Sequence, residues 1–192
     1  MINRLLIIIF IYTSLLTTNL FSIEPDVFVQ STVNRASKLL SENISKEEKI
    51  NQLQIIAKET VDIKGIGNYT LGSAKKSLNK EDKKEYAVLF EKYFLKSFSS
   101  RLAEYTNPEI DVNGKEIINN NYTIVNSTLK ATTERPEIRI DWRIYTKDPE
   151  NLLIRDLIIE GLSLARTQKE EFASVLNSND GKIQELFNTL RT

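Results

Sequence analysis

Three carboxylates in the second half of the chain have a residue type and spacing that acid–base chemistry could use. They are Asp141, Asp156 and Glu160. Two such groups hydrolyse glycosidic bonds when one acts as an acid and the other as a base or nucleophile. Asp141, however, alternates with Arg139 and Arg143, a pattern typical of ion pairs on a polar sheet face. The simpler interpretation is structural, and we expect no catalytic residue among them.

The composition removes the residues on which most other enzyme chemistry depends. The 192-residue chain contains no histidine and no cysteine, so the commonest general base, the commonest metal ligand and any thiol nucleophile are missing. Its 26 basic and 26 acidic residues balance, which leaves no overall field to attract nucleic acid. We therefore expect a protein that is not an enzyme, binds no nucleic acid and uses no metal or cofactor.

Two other short motifs predict ordinary surface structure. Gly65-Ile66-Gly67 lacks the third glycine and the preceding strand of a dinucleotide-binding loop, and it predicts a turn. The pairs Lys75-Lys76 and Lys83-Lys84 predict solvated helix faces. Contact between these lysines and an anionic membrane surface is the alternative interpretation.

The N-terminal segment has the pattern of a secretory signal peptide. Arg4 supplies a positive charge, residues 5–20 are uncharged, and Ser22 is a small residue at the cleavage point. The uncharged run is short for a membrane span, which needs ~20 apolar residues. The sequence predicts a signal peptide over residues 1–22 and a single exported domain over residues 23–192.

Capping signals predict that the mature chain begins with helices. Pro25 suits a first helical turn. Ser45 and Glu48 have capping-box spacing, and Asn79 followed by Asp82 marks a further helix start. These signals position the most aromatic segment of the chain on one long helix.

That long helix, predicted over residues 80–105 after a short helix over 69–76, carries a wide apolar stripe. The stripe contains Tyr86, Leu89, Phe90, Tyr93, Phe94, Phe98, Leu102 and Tyr105. A stripe of this width exceeds what packing against one helix needs. It indicates either core against a sheet or one wall of a ligand cavity.

The second half predicts antiparallel strands. Asn113-Gly114 between two apolar runs predicts a hairpin turn. A strand is predicted at 122–131, residues 138–144 alternate apolar and charged side chains, and residues 152–160 are apolar on both faces, as in a central strand. Two helices close the chain. This order predicts an α+β fold, a helical layer on a sheet of about four antiparallel strands.

Several segments of the chain together have the character of one known family. They are Ile140-Asp141-Trp142-Arg143, the run from Ile154 to Leu164, Gln168-Lys169-Glu170-Glu171-Phe172, Val61-Asp62-Ile63 and Leu71-Gly72. The most specific part is Asp-x-x-x-Glu-Gly-x-Ser over residues 156–163. Over nearly the whole mature chain the sequence resembles the MlaC family, the periplasmic phospholipid-binding proteins of the toluene-tolerance type. It departs from the family pattern at Arg155, where an aromatic residue is usual, at Leu152-Leu153 and at Ile63.

The resemblance implies a fold, a role and partners. It implies a twisted sheet under a helical layer, with an apolar cavity between them that takes acyl chains. It implies a periplasmic carrier that shuttles phospholipid between an outer-membrane lipoprotein complex (MlaA-like) and an inner-membrane MCE-domain ABC transporter (MlaD-like). Such transport maintains the lipid asymmetry of the outer membrane, and it needs no catalytic residue.

Exposing acyl chains to water costs ~0.8 kcal/mol per CH₂, so a carrier must cover them with an apolar wall. The predicted lipid-binding residues are Ile138, Ile140, Trp142, Leu162, Leu89, Phe90, Tyr93 and Phe94. Each of them could instead be plain core, because a cavity wall and a core share one composition. Three other functions stay open: a carrier of another apolar ligand (a hydrocarbon, a hopanoid or a lipoprotein acyl chain), a carboxylate-dependent hydrolase, and a structural protein with a filled core.

Overall fold

A computed structural model describes residues 23–192 as six α-helices and a five-stranded sheet. The helices are α1 (Pro25–Ser41), α2 (Lys46–Thr60), α3 (Ile63–Thr70), α4 (Lys80–Leu102), α5 (Leu164–Asn177) and α6 (Ile183–Arg191). The strands are β1 (Ile110–Asn119), β2 (Tyr122–Leu129), β3 (Ile138–Tyr145), β4 (Leu153–Ile159) and β5 (Leu162–Ser163). The α+β class is confirmed. The predicted signal peptide lies outside the described residues.

The sheet is an antiparallel meander with the strand order β1-β2-β3-β4-β5. Because β5 has only two residues, it pairs with Ile158 and Ile159 alone. Val61 adds one parallel bridge to Ile154, so the outer side of β4 is only partly covered. The prediction of about four strands omits this short β5, and β4 lies next to the edge of the sheet instead of at its centre.

The capping signals are confirmed at the starts of three helices. Pro25 opens α1. Ser45 accepts a hydrogen bond from the backbone N–H of Glu48, 3.1 Å away. Asn79 accepts one from the N–H of Asp82 at 2.7 Å. These caps satisfy backbone donors that the first helical turn leaves free.

The predicted hairpin at Asn113-Gly114 is wrong, because β1 runs through both residues. Val112 pairs with Ser127 and Gly114 with Asn126, which leaves Asn113 as an extra residue, a β-bulge. The Asn113 side chain donates a hydrogen bond to Thr128 Oγ1 at 2.8 Å. The chain reverses instead between Asn119 and Tyr122, which pair with each other. The long β1 can then pair along the whole of β2.

The predicted turn at Gly65-Ile66-Gly67 is also wrong, because all three residues lie within α3. Asp62 caps this helix by accepting a hydrogen bond from Gly65 N–H at 2.7 Å. A Cβ atom at Gly67 would lie 2.7 Å from Cδ1 of Phe90, so the glycine lets α3 approach α4 closely. The short helix predicted over 69–76 is in fact the end of α3 followed by a 3₁₀ turn, Gly72–Lys76.

One continuous apolar core lies between the helices and the sheet. Its fully buried members come from every layer and include Val29, Val125, Ile144, Phe172, Leu186 and Phe187. A satellite cluster of Leu39, Leu40 and Leu53 joins α1 to α2. Within residues 23–192, no helix is long and apolar enough to span a membrane.

Candidate functional site

The aromatic face of α4 is both core and cavity wall. Phe90 is only 2% exposed and stacks on Phe94, with ring centroids 6.1 Å apart. Phe94 stacks in turn on Phe98 at 5.3 Å. Phe172 of α5 packs edge-on against Phe90 at 6.2 Å and fixes the start of this row. The row therefore begins at Phe90 in the filled core, and successive turns of α4 carry it to Phe98, which borders open space.

That open space is a cavity of about 200 Å³ bounded by α4, α5 and strands β3 and β4. Its apolar walls are formed by Val61, Ile66, Phe90, Tyr93, Phe94, Phe98, Trp142, Ile154, Leu157, Leu164 and Ala165. Polar side chains stand along α4 and α5, among them Ser97, Arg101 and Gln168. The cavity is thus an apolar chamber with a polar border on its helical side. We call it the front chamber.

A smaller cavity of about 130 Å³ adjoins it between α1, α2 and the sheet. We call it the rear chamber, and Ile140, Leu129 and Ile159 contribute its sheet side. The two chambers share five lining residues, namely Val61, Phe98, Trp142, Ile154 and Leu157. Phe98 from the helix and Trp142 from the sheet therefore stand where the chambers meet.

Trp142 presents only carbon to the chambers. Its indole N–H donates to Ser127 Oγ at 2.8 Å, and that hydroxyl donates to the backbone carbonyl of Ile140 at 2.9 Å. Both hydrogen bonds are buried, which satisfies the polar handle that a tryptophan brings into a core. These hydrogen bonds fix the position of the indole ring, so the ring needs no hydrogen bond to a polar group of a ligand.

The three carboxylates of the sheet serve separate structural tasks. Asp141 accepts a hydrogen bond from Asn126 at 2.9 Å and pairs with Arg139 at 3.1 Å. Glu160 is exposed and accepts from the backbone N–H of Arg139. Neither residue lines a chamber. No three His, Cys, Asp or Glu side chains of residues 23–192 are grouped to hold a metal ion.

Asp156 does reach the front chamber, yet both of its oxygens are engaged. Oδ2 accepts from the Ser163 hydroxyl at 2.5 Å, and Oδ1 accepts from the N–H of Ala165 at 3.0 Å. Ser163 is the N-cap of α5, so the carboxylate closes the positive end of that helix. The Asp-x-x-x-Glu-Gly-x-Ser motif therefore builds the connection from β4 to α5. Glu160 and Gly161 in its turn both have positive φ, as a two-residue hairpin loop requires.

The structure brings together five of the eight predicted lipid-binding residues. Phe90, Tyr93, Phe94 and Trp142 line the front chamber, and Ile140 lines the rear one. Ile138 and Leu89 are partly buried against the core and line neither chamber. Leu162 lies in β5 with 59% of its surface exposed, also outside both linings. A lipid contact at these three positions stays a prediction.

Several wall residues were absent from the predicted set, and two that line both chambers, Leu157 and Val61, show why. Leu157 lies opposite Trp142 in the β3–β4 ladder, so strand pairing alone identifies its face. Val61 follows α2 and enters the wall only through its bridge to Ile154. The alternation of β3 could have led to Leu157 once β3 and β4 were paired. No local pattern in the sequence indicates the role of Val61.

Arg155, the departure from the family pattern, ties α3 to the sheet. It pairs with Asp62 and donates to the Tyr122 hydroxyl at 3.3 Å. Its guanidinium carbon lies 4.6 Å from the centroid of the Tyr145 ring. A β-bulge places Arg155 without a cross-strand partner, since Arg143 pairs with Asp156 and Ile144 with Ile154. Arg155 therefore acts in packing and does not narrow either chamber.

Comparison with known proteins identifies a family and solved structures of the same fold. The family model described as MlaC protein matches residues 30–192. A search of curated proteins finds no match. Among solved structures, the phospholipid-binding protein from Ralstonia solanacearum in complex with a phospholipid matches with a TM-score of 0.73 and 18% sequence identity. That match covers 88% of this chain and 96% of the other, and at this identity it establishes the shared fold.

Proposed function

The chain belongs to the MlaC family, and from this membership and the chamber walls we propose that it carries phospholipid by enclosing the acyl chains. The observation that carries the proposal is the pair of adjoining chambers with carbon walls. Covering acyl chains removes a cost of ~0.8 kcal/mol for each CH₂ that water would otherwise contact. The walls supply this cover, while the polar border of α4 and α5 suits a headgroup that stays near water.

Binding of a whole lipid requires the chamber walls to move apart. Ligand sites for small molecules usually measure ~300–1,000 Å³, whereas the front and rear chambers are about 200 and 130 Å³. Phe98 and Leu157 lie at the junction and are only half buried, so their rotamers can change at small cost. We infer that entry of the lipid widens this junction.

We also propose the setting of this carrier. Residues 1–22 act as a cleaved signal peptide, residues 23–192 form one domain, and the domain works in the periplasm. There it passes lipid between an outer-membrane MlaA-like complex and an inner-membrane MlaD-like transporter, and so maintains outer-membrane asymmetry and tolerance to toluene. The proposal includes no chemical step on the lipid, because the chamber's Asp156 already binds Ser163 and Ala165.

Intrinsic fluorescence tests the proposal directly, because the chain contains a single tryptophan and this Trp142 lines both chambers. Phospholipid with brominated acyl chains should quench its emission, and the same lipid without bromine should not. Mass spectrometry of lipid extracted from the purified protein identifies the natural ligand. A hydrocarbon or hopanoid in that extract, in place of phospholipid, would support the alternative apolar ligand.

Two substitutions at the walls should reduce bound lipid by different means. Ile140→Asp places a carboxylate in the rear chamber and should remove most co-purifying lipid, because an unpaired buried charge repels an apolar chain. Leu157→Trp fills the junction without adding charge, so it should reduce lipid even if Ile140→Asp proves unstable. Ile117→Asp, at a residue 75% exposed, is the matched control. Wild-type lipid content in folded Ile140→Asp and Leu157→Trp would contradict the assignment of the chambers.

A further inference from the structure

A third depression, of about 390 Å³, lies between α3, the 3₁₀ turn and the first half of α4. Four lysines line it, namely Lys64, Lys75, Lys83 and Lys84. We call it the lysine groove. Phe90 lines both this groove and the front chamber, so one aromatic ring separates them. The fold thus brings Lys75 of one sequence pair together with both members of the other pair, Lys83-Lys84, and with Lys64.

The lysine groove carries unneutralised positive charge. All four of its lysines are exposed, and none forms an ion pair with a carboxylate in the described part of the chain. Elsewhere Lys115 and Lys130 each contact two acidic side chains. Glu91 is the acidic residue of the groove lining. The groove is therefore strongly cationic on a protein with no net charge.

Apolar surface accompanies this charge. The floor of the groove includes Ile63, Leu71 and Tyr86, all buried. At its rim Val88 is 50% exposed beside Lys84. An apolar side chain among lysines matches the boundary between the headgroups and acyl chains of a bilayer, where long cationic side chains reach the phosphates and apolar groups lie beneath.

We propose that the lysine groove docks the protein on the surface of a bilayer that contains anionic phospholipid. A fluid layer of phosphates has no fixed geometry, so it is matched by point charges on flexible stems, and the basic residues of the groove are all lysines. This docking goes beyond the carrier proposal, because binding to a bilayer surface is measured without any lipid entering a chamber.

Sedimentation with vesicles tests the docking. The full mature chain should bind vesicles of equimolar phosphatidylcholine and phosphatidylglycerol, release them at high salt, and leave pure phosphatidylcholine vesicles unbound. The variant Lys75→Gln/Lys83→Gln/Lys84→Gln should bind on the order of a hundredfold more weakly, about fivefold for each lysine. The control Lys38→Gln/Lys58→Gln/Lys147→Gln removes the same charge at three exposed lysines outside the groove lining.

Equal weakening in the two triple variants, or equal binding to neutral and anionic vesicles, would overturn the proposal. Binding to an acidic protein but to no vesicle would overturn it too and assign the groove to a protein partner.

Because the chain has no cysteine, a dye on Val88→Cys gives a second readout. Its emission should shift to the blue on anionic vesicles, whereas the same dye on Ile117→Cys should stay unchanged, and the opposite pattern would place the membrane contact elsewhere. The lipid content of the purified triple variants is measured as well. Lost vesicle binding with unchanged lipid content indicates a failed docking surface, whereas lost lipid content indicates a failed carrier.

Discussion

Tyr86 of α4 is a buried polar side chain with one specific hydrogen-bond partner. Tyr86 is 3% exposed, and its hydroxyl lies 2.9 Å from Thr70 Oγ1. Burial raises the pKa of Tyr86 well above its ordinary value of 10.0, because an ionised phenol would lose its hydration. The Tyr86 hydroxyl is therefore stable at its buried position on α4 only in the neutral form.

This buried phenol predicts a loss of stability at alkaline pH. Above pH 10 or so the unfolded chain releases the Tyr86 proton while the folded protein keeps it, so the free energy of unfolding falls as the pH rises, by up to about 1.4 kcal/mol per pH unit. At neutral pH, Tyr86→Phe should lower the free energy of unfolding by about 1 kcal/mol, because it removes a hydrogen bond. Between pH ~9 and ~11, however, the free energy of unfolding of this variant should fall less than that of the unmodified protein. Urea unfolding across this range measures both effects.

The comparison needs a second tyrosine because the chain has seven. Tyr69→Phe removes a hydroxyl from a side chain that is 45% exposed. The free energy of unfolding of this variant should fall at alkaline pH as steeply as that of the unmodified protein. If Tyr86→Phe declined as steeply as the unmodified protein, the burial of the phenol would not control this pH dependence.

Among the secondary-structure elements, β1 shows how far local patterns reach. Asn-Gly is a strong turn signal, but it describes four residues and contains no information about strand length. Here the eight residues of β2 offer a full ladder to β1, and pairing along it outweighs the local turn preference. The helix caps at Ser45 and Asn79 could be predicted because they depend only on residues three positions away.

The bulge in β1 predicts an asymmetry between two deletions. Removing Asn113 should cost about 1 kcal/mol, the value of its hydrogen bond to Thr128, because Val112 and Gly114 already pair with consecutive residues of β2. Removing Lys115, which has its own partner Val125, shifts the rest of β1 by one residue and turns its side chains to the other face. Thermal unfolding of both variants checks this, and equal losses would argue against the bulge.

At the scale of the whole molecule, the chambers could be predicted only in part. The α+β class followed from the order of elements, and five wall residues followed from stripes on α4 and β3. The rest depended on long-range contacts, such as the bridge from Val61 to Ile154. Leu162 illustrates the limit, because its place at the turn from sheet to helix predicted a wall residue, while the short β5 leaves it exposed. Sequence periodicity identifies a face, but only the packed structure shows where that face stays unfilled.

The continuous core predicts that residues 23–192 unfold as one unit. The same apolar cluster includes residues from α1, α3, α4, α5, α6 and the sheet, so no helix can leave without opening it. Circular dichroism of the helices and fluorescence of Trp142 should therefore give coincident urea transitions. Two separated transitions would show that the chain consists of more than one cooperative unit.

The two chambers meet at Phe98 and Trp142, so the interior has two branches. Under the carrier proposal, an amphiphile with one acyl chain would fill one chamber and leave the other empty, whereas an amphiphile with two chains would fill both. Since the indole N–H of Trp142 is already bonded to Ser127, we expect the proposed carrier to distinguish amphiphiles by their number of acyl chains, without a hydrogen bond from this indole to the ligand. Selection by tail number requires no recognition of the headgroup.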